Sequence, residues 1–216
     1  MHRRFLLSLV LLVIACSSSG PPAPSTSVLS GVPDQAAAAA IAAGQPPVGI
    51  ARLVIVSGRW DDTGMGKTVL AREASVRGDI VVQGQRLAFF ENGQAVAADL
   101  PAGTYLLQWE MRDLFSNAPN TLSWVRPIPI EVSLHGGRTT VFTADVIDRA
   151  RVVGYFSITD ALLGIHPPID FRFDGTIATV LTPQEDARLL VERRPVILSP
   201  REERLASIPG ARAVGR

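Results

Sequence analysis

The chain of 216 residues contains one cysteine, one lysine and three histidines. A single thiol excludes an intramolecular disulfide framework. Apart from His2, the histidines are His135, in a glycine turn, and His166, before Pro167-Pro168. Neither has an i, i+4 partner, so no metal site is expected. Formal net charge is only +1, too weak a field to argue for nucleic acid. No Gly-x-Ser-x-Gly is present. Ser57-Gly58 and Ser116-Asn117 have no motif around them, so no catalytic residue is assigned. Lys67 is the sole lysine among 21 basic residues, and that draws the eye to Gly66-Lys67-Thr68. A phosphate loop of the form G-x-x-x-x-G-K-[ST] needs glycine five places before Gly66. Asp61 stands there, with Asp62 beside it: two carboxylates repel phosphate, and a Cβ obstructs the tight loop. Nucleotide binding is therefore not expected. Asp61, Asp62 and Gly64 also lack the spaced acids and final Glu of a calcium loop, so neither a metal nor a cofactor is expected.

What is present begins at the N-terminus. Residues 1–15 read MHRRFLLSLVLLVIA: a basic start at Arg3 and Arg4, then an apolar stretch closed by Ala15. That layout is a secretory signal, shorter than the ~20 residues a membrane span needs. Cys16 follows directly. Val13-Ile14-Ala15-Cys16 resembles the lipobox of bacterial lipoproteins, although valine replaces the more usual leucine at its first position. The alternative is an ordinary signal with an unrelated cysteine. The resemblance implies cleavage before Cys16, acylation of its thiol, and membrane attachment through it. Each buried methylene contributes ~0.8 kcal/mol, so two or three chains anchor firmly. Ser17 in place of aspartate implies, for a Gram-negative host, the outer membrane facing the periplasm.

Residues 16–48 read as the lipidated cysteine and a flexible tether. SSSGPPAPSTS is small, polar and stiffened by proline. Ala36 to Ala43 is either a short helix, with Asp34 as N-cap, or part of a low-complexity linker.

From residue 49 the texture becomes β. Ile50–Val56 (IARLVIV) reads as a strand, followed by strands near Asp79–Gln83 and Leu87–Phe90. Asn92-Gly93 signals a type I′ hairpin, with Ala95–Leu100 returning antiparallel. After Pro101-Ala102-Gly103 comes Thr104–Trp109, where Trp109 alternates with core positions. Ile128–Leu134 alternates as IPIEVSL, and Pro129 suggests an edge. Gly136-Gly137 turns into Thr139–Val146 to close a hairpin. This spacing predicts a mainly β domain over residues 49–148, an antiparallel sandwich or open barrel. Residues 149–181 add strands, including a hairpin around Asp174-Gly175. Residues 182–216 form a short helical addition: Thr182-Pro183-Gln184-Glu185 starts a helix over Pro183–Arg194, Ser199-Pro200-Arg201-Glu202 a second, and the last residues read as a disordered tail.

The segment VVQGQRLAFFENGQAVAADLPAGTYLLQWE is similar to PEGA-type modules of bacterial envelope proteins and to an uncharacterised lipoprotein domain. IEVSLHGGRTTVFTADV resembles their closing hairpin. The resemblance covers roughly residues 50–146 and implies a scaffolding or ligand-contact module, with no catalytic residue to transfer. Arg59–Gly78 and the C-terminal third depart from it.

The expected function is thus a lipid-anchored, non-catalytic structural or interaction module of the cell envelope, partnered by the membrane through Cys16 and by an envelope protein or cell-wall component. The alternative is an envelope enzyme or binding protein acting on cell-wall polysaccharide, whose paired carboxylates would be apposed only in three dimensions. Trp60 beside Arg59, and Trp124 beside Arg126, flank expected loops and form a candidate contact surface; packing against the sheet explains the tryptophans equally well. The tail from Arg188 carries seven arginines against three glutamates, suited to anionic headgroups or to solvent.

Overall fold

A computed structural model describes residues 31–61, 77–112, 125–148, 151–153, 172–174, 177–185 and 188–215. Among them the chain is mainly β, in two facing sheets with short helices. The strands are β1 (Val32–Pro33), β2 (Ile50–Asp61), β3 (Gly78–Val82), β4 (Gln85–Phe90), β5 (Gln94–Pro101), β6 (Gly103–Met111) and β7 (Val125–Pro127). They continue as β8 (Ile130–Leu134), β9 (Thr139–Asp148), β10 (Arg151–Val153), β11 (Arg172–Asp174), β12 (Ile177–Gln184) and β13 (Val196–Ser199). The helices are α1 (Gln35–Ala43), α2 (Arg188–Arg193) and α3 (Glu202–Leu205).

The larger sheet has seven strands in the order β1-β13-β5-β2-β9-β12-β7, and the smaller has four, β4-β3-β6-β8. Between them lies the main core, with Leu53, Ile55, Val96 and Phe142 from the large sheet facing Ile80, Phe90, Leu107 and Trp109 from the small one. Trp109 is fully buried and tilted against Phe90, with ring centroids 6.2 Å apart. Thr179 donates its hydroxyl to the Trp109 carbonyl, a polar tie between the sheets. β8 is an edge of the small sheet, as Pro129 suggests.

The large sheet is mixed. β2 runs parallel to β9, β13 to β5, and β12 to β7. Parallel neighbours need crossovers, because a tight turn joins only antiparallel strands. Three turns with hairpin chemistry accordingly carry the chain from one sheet to the other. Asn92-Gly93 joins β4 to β5, residues 101–103 join β5 to β6, and Gly136-Gly137 joins β8 to β9. The expected pairing of Leu87–Phe90 with Ala95–Leu100 is replaced by β4 on β3 and β5 on β2. The reason lies in β5: six consecutive residues, Ala95–Leu100, are buried, a pattern suited to a central strand covered on both faces. The type I′ geometry falls instead at Gln83-Gly84, with φ of 52° and 75°, closing the β3–β4 hairpin.

The C-terminal third also differs from expectation. Thr182 and Pro183 continue β12 along β9 instead of starting a helix, and the described part of the helix covers Arg188–Arg193. Among the described residues β11 pairs with β10 and not with β12; Gly175, at the centre of the expected hairpin, lies outside the described residues. The second helix is a single turn with Arg201 at its N-cap position and no side-chain cap. The expected disordered tail packs: Arg212 exchanges backbone hydrogen bonds with Asp99, and Ala213 and Val214 are buried. Within the segment read as tether, β1 pairs with β13 and α1 lies on the sheet.

Candidate contact groove

The outer face of the large sheet carries a second, smaller core. Val54, Val56, Ala95, Ala97, Val141 and Ile197 are covered by Ala37, Ala40 and Ile41 of α1, by Leu189 and Leu190 of α2, and by Val214. α1 forms because alanine has the highest helix propensity and Asp34 caps its start. The Asp34 carboxylate accepts from the Ala37 amide at 3.0 Å, and Gly44, at φ 132°, ends the helix.

Two arginines fasten these helices to the sheet. Arg52, buried in β2, grips Asp99 of β5 with Nε and Nη2 at 2.9 and 3.3 Å. Its Nη1 donates to the carbonyls of Ala40 and Gly44, at 2.9 and 3.3 Å. One guanidinium thus neutralises a buried carboxylate and satisfies carbonyls at the helix C-terminus, where a cation also suits the dipole. Arg193, at the end of α2, donates Nη1 to the Ser57 carbonyl at 2.8 Å. The sequence carried a signal for the first device: an arginine inside IARLVIV must find a partner if that strand is central. Nothing in the sequence pointed to Asp99 or to α1 as that partner.

Between α1 and α2 a groove of about 750 Å³ remains open, within the ~300–1,000 Å³ of small-molecule sites. Buried Ile197 lies in its lining. One wall carries Ala38, Ile41 and Ala42, and the other Leu190, Val191 and Pro195. Arg188 and Arg194 supply its only charged side chains, and no acid is among the lining residues. A smaller cleft of about 240 Å³ lies at Ser57, Asn92, Gly93 and Arg193, where the Arg193 guanidinium is already committed to Ser57. The groove can hold apolar matter with a negative end; it presents no nucleophile and no carboxylate pair.

The contact surface expected from sequence lies elsewhere. Arg59 and Trp60 belong to β2, not to a loop, with Trp60 in register with Val146 after a bulge. Gly58 permits that bulge: a Cβ there would collide with the Ala144 carbonyl and the Asp145 carboxylate. Arg126, in β7, is exposed. It aligns across the sheet with Ala178, Ile147 and Asp61, three strand spacings or ~14 Å from β2. Trp124, Cys16 and Gly66-Lys67-Thr68 lie outside the described residues. His135 is exposed, and among the described residues no cluster of histidine, cysteine and acids could hold a metal. No described helix is long and apolar enough to cross a membrane.

A second buried pair serves the opposite sheet. Arg112 engages both oxygens of Asp79, one at 2.9 Å, while its guanidinium lies 5.2 Å from the Phe89 ring centroid. It joins β3 to the end of β6. Tyr105 donates its hydroxyl to the Pro101 carbonyl at 2.8 Å, and burial raises its pKa.

Compared with known protein families, curated proteins and solved structures, the chain matches none.

Proposed function

We propose that the chain is a lipid-anchored protein of the cell envelope whose β-sandwich acts as a non-catalytic interaction module, with the α1–α2 groove as its contact site. The groove carries this reading. It is concave, largely apolar and cationic at its only charged positions, a lining that binds and orients but supplies no acid–base or nucleophilic pair. Val13-Ile14-Ala15-Cys16 supports the anchor, and Ser17 the outer membrane of a Gram-negative host. β1 leads into α1 at the rim of the groove, so a chain held at Cys16 would enter the domain beside its contact site.

Growth with a clickable fatty-acid analogue tests the anchor. The wild-type chain should take up label, and Cys16→Ala should take up none. An unlabelled wild-type chain would contradict the lipoprotein assignment.

A further inference from the structure

We infer that the α1–α2 groove binds a single long acyl chain ending in an anionic head, in its simplest form a long-chain carboxylate. The inference rests on the groove being the contact site and names the chemistry of its ligand. Three observations support it.

The first is shape and lining. Ala38 and Ala42 are one helical turn apart on α1, so their small side chains share a face, and both are exposed. Opposite them stand Leu190 and Val191, with Val191 three-quarters exposed. Ile41, Pro195 and Ile197 complete an apolar surface whose only hydrogen-bonding side chains are those of Arg188 and Arg194. A hydrocarbon chain makes no hydrogen bonds and loses none there, whereas a sugar or polar peptide would leave its donors and acceptors unpaired.

The second is charge. The only charged groups in the lining are the guanidiniums of Arg188 and Arg194. Arg194 is exposed at the end of α2, where φ of 44° turns the chain sharply into β13, and no hydrogen bond or ion pair engages its side chain among the described residues. A planar guanidinium pairs two-pronged with a carboxylate. A neutral hydrocarbon makes no use of that cation, and an amine would be repelled by it.

The third is concavity. The apolar side chains face one another across a gap instead of projecting together from a convex face. That geometry takes one inserted chain more readily than the plane of a bilayer. Both walls are tied to the same strand, β2, by the Arg52 bond to α1 and the Arg193 bond from α2.

The test is photo-crosslinking of the full-length chain in host membranes with a diazirine-bearing palmitate analogue, read by peptide mass mapping. Adducts should concentrate on residues 35–43 and 188–197. Ala38→Trp, which fills the groove from an exposed position, should lower them at least tenfold, and Arg194→Glu about fivefold. Arg194→Lys, which keeps the charge but not the two-pronged pairing, should lower the yield less than Arg194→Glu. Uniform labelling along the chain, or labelling that Ala38→Trp leaves unchanged, overturns the proposal; so does equal labelling by an uncharged diazirine alkane. Preferential labelling by a photoreactive phospholipid over the carboxylate would assign the face to the bilayer and also overturn it. Cys16→Ser removes acyl groups carried on the thiol and should leave groove adducts undiminished. Persisting groove adducts on a wild-type chain without metabolic label would defeat the anchor alone, whereas a labelled chain without groove adducts would defeat only the ligand.

Discussion

Arg52 and Asp99 are both almost fully buried, on adjacent strands, and each is the other's charge partner. Breaking such a pair leaves an uncompensated charge in the interior and costs ~3–5 kcal/mol, while replacing both partners by apolar residues is often neutral. Asp99→Ala should therefore lower unfolding free energy in urea by about that amount. The double variant Arg52→Met/Asp99→Leu should recover much of the loss; recovery will be incomplete because Arg52 also holds the Ala40 and Gly44 carbonyls. Tyr105 gives a separate handle. Its folded pKa is raised by burial, so it contributes stability that is full below the unfolded value of about 10 and lost as pH rises through the folded value. The alkaline decline in stability should be shallower in Tyr105→Phe than in wild type, and equal slopes would dissociate it from that decline. At this scale the sequence was legible where a residue broke its surroundings. Arg52 stands out in an apolar strand, and Trp109 fits a core alternation. Their partners lie up to 70 residues away in sequence, a separation no local pattern encodes.

Among the elements, the strands were far more readable than their pairing. Ile50–Val56, Leu87–Phe90 and Ile130–Leu134 are recognisable because β-branched and alternating residues favour a pleated, half-buried surface. Turn chemistry specifies a reversal of direction but not which sheet receives the returning strand. Asn92-Gly93 illustrates this: Gly93 adopts φ 78°, yet its amide donates to Ser57 Oγ in the large sheet, helping lead the chain across. Thr182-Pro183 shows the same competition. Its helix-start signal is overridden by eight residues of register with β9, since tertiary pairing outweighs a weak local preference. The short helix α1 is held mostly by packing, as a nine-residue helix is marginal alone. Asp34→Ala removes its cap and should cost about 1 kcal/mol. Amide exchange in Gln35–Ala43 should quicken while that of the β2–β5 pair is unchanged; global destabilisation instead would place Asp34 in the main core's cooperativity.

For the molecule as a whole, mainly β architecture was legible from the spacing of strands and turns, while its second layer was not. The outer core depends on three stretches far apart in the chain: Gln35–Ala43, Arg188–Ile197 and Val214. Composition marked the first of these as a possible linker and the last as a loose tail. Together they leave the groove between α1 and α2, the face proposed for contact in place of the Arg59, Trp60 and Arg126 end of the sheet. Hydrogen–deuterium exchange of the full chain with and without a long-chain carboxylate distinguishes the two faces. Contact at the groove should slow exchange in residues 35–43 and 188–197 alone. Slowing at β7 and the Trp60 end of β2 instead, or at no segment, would contradict it.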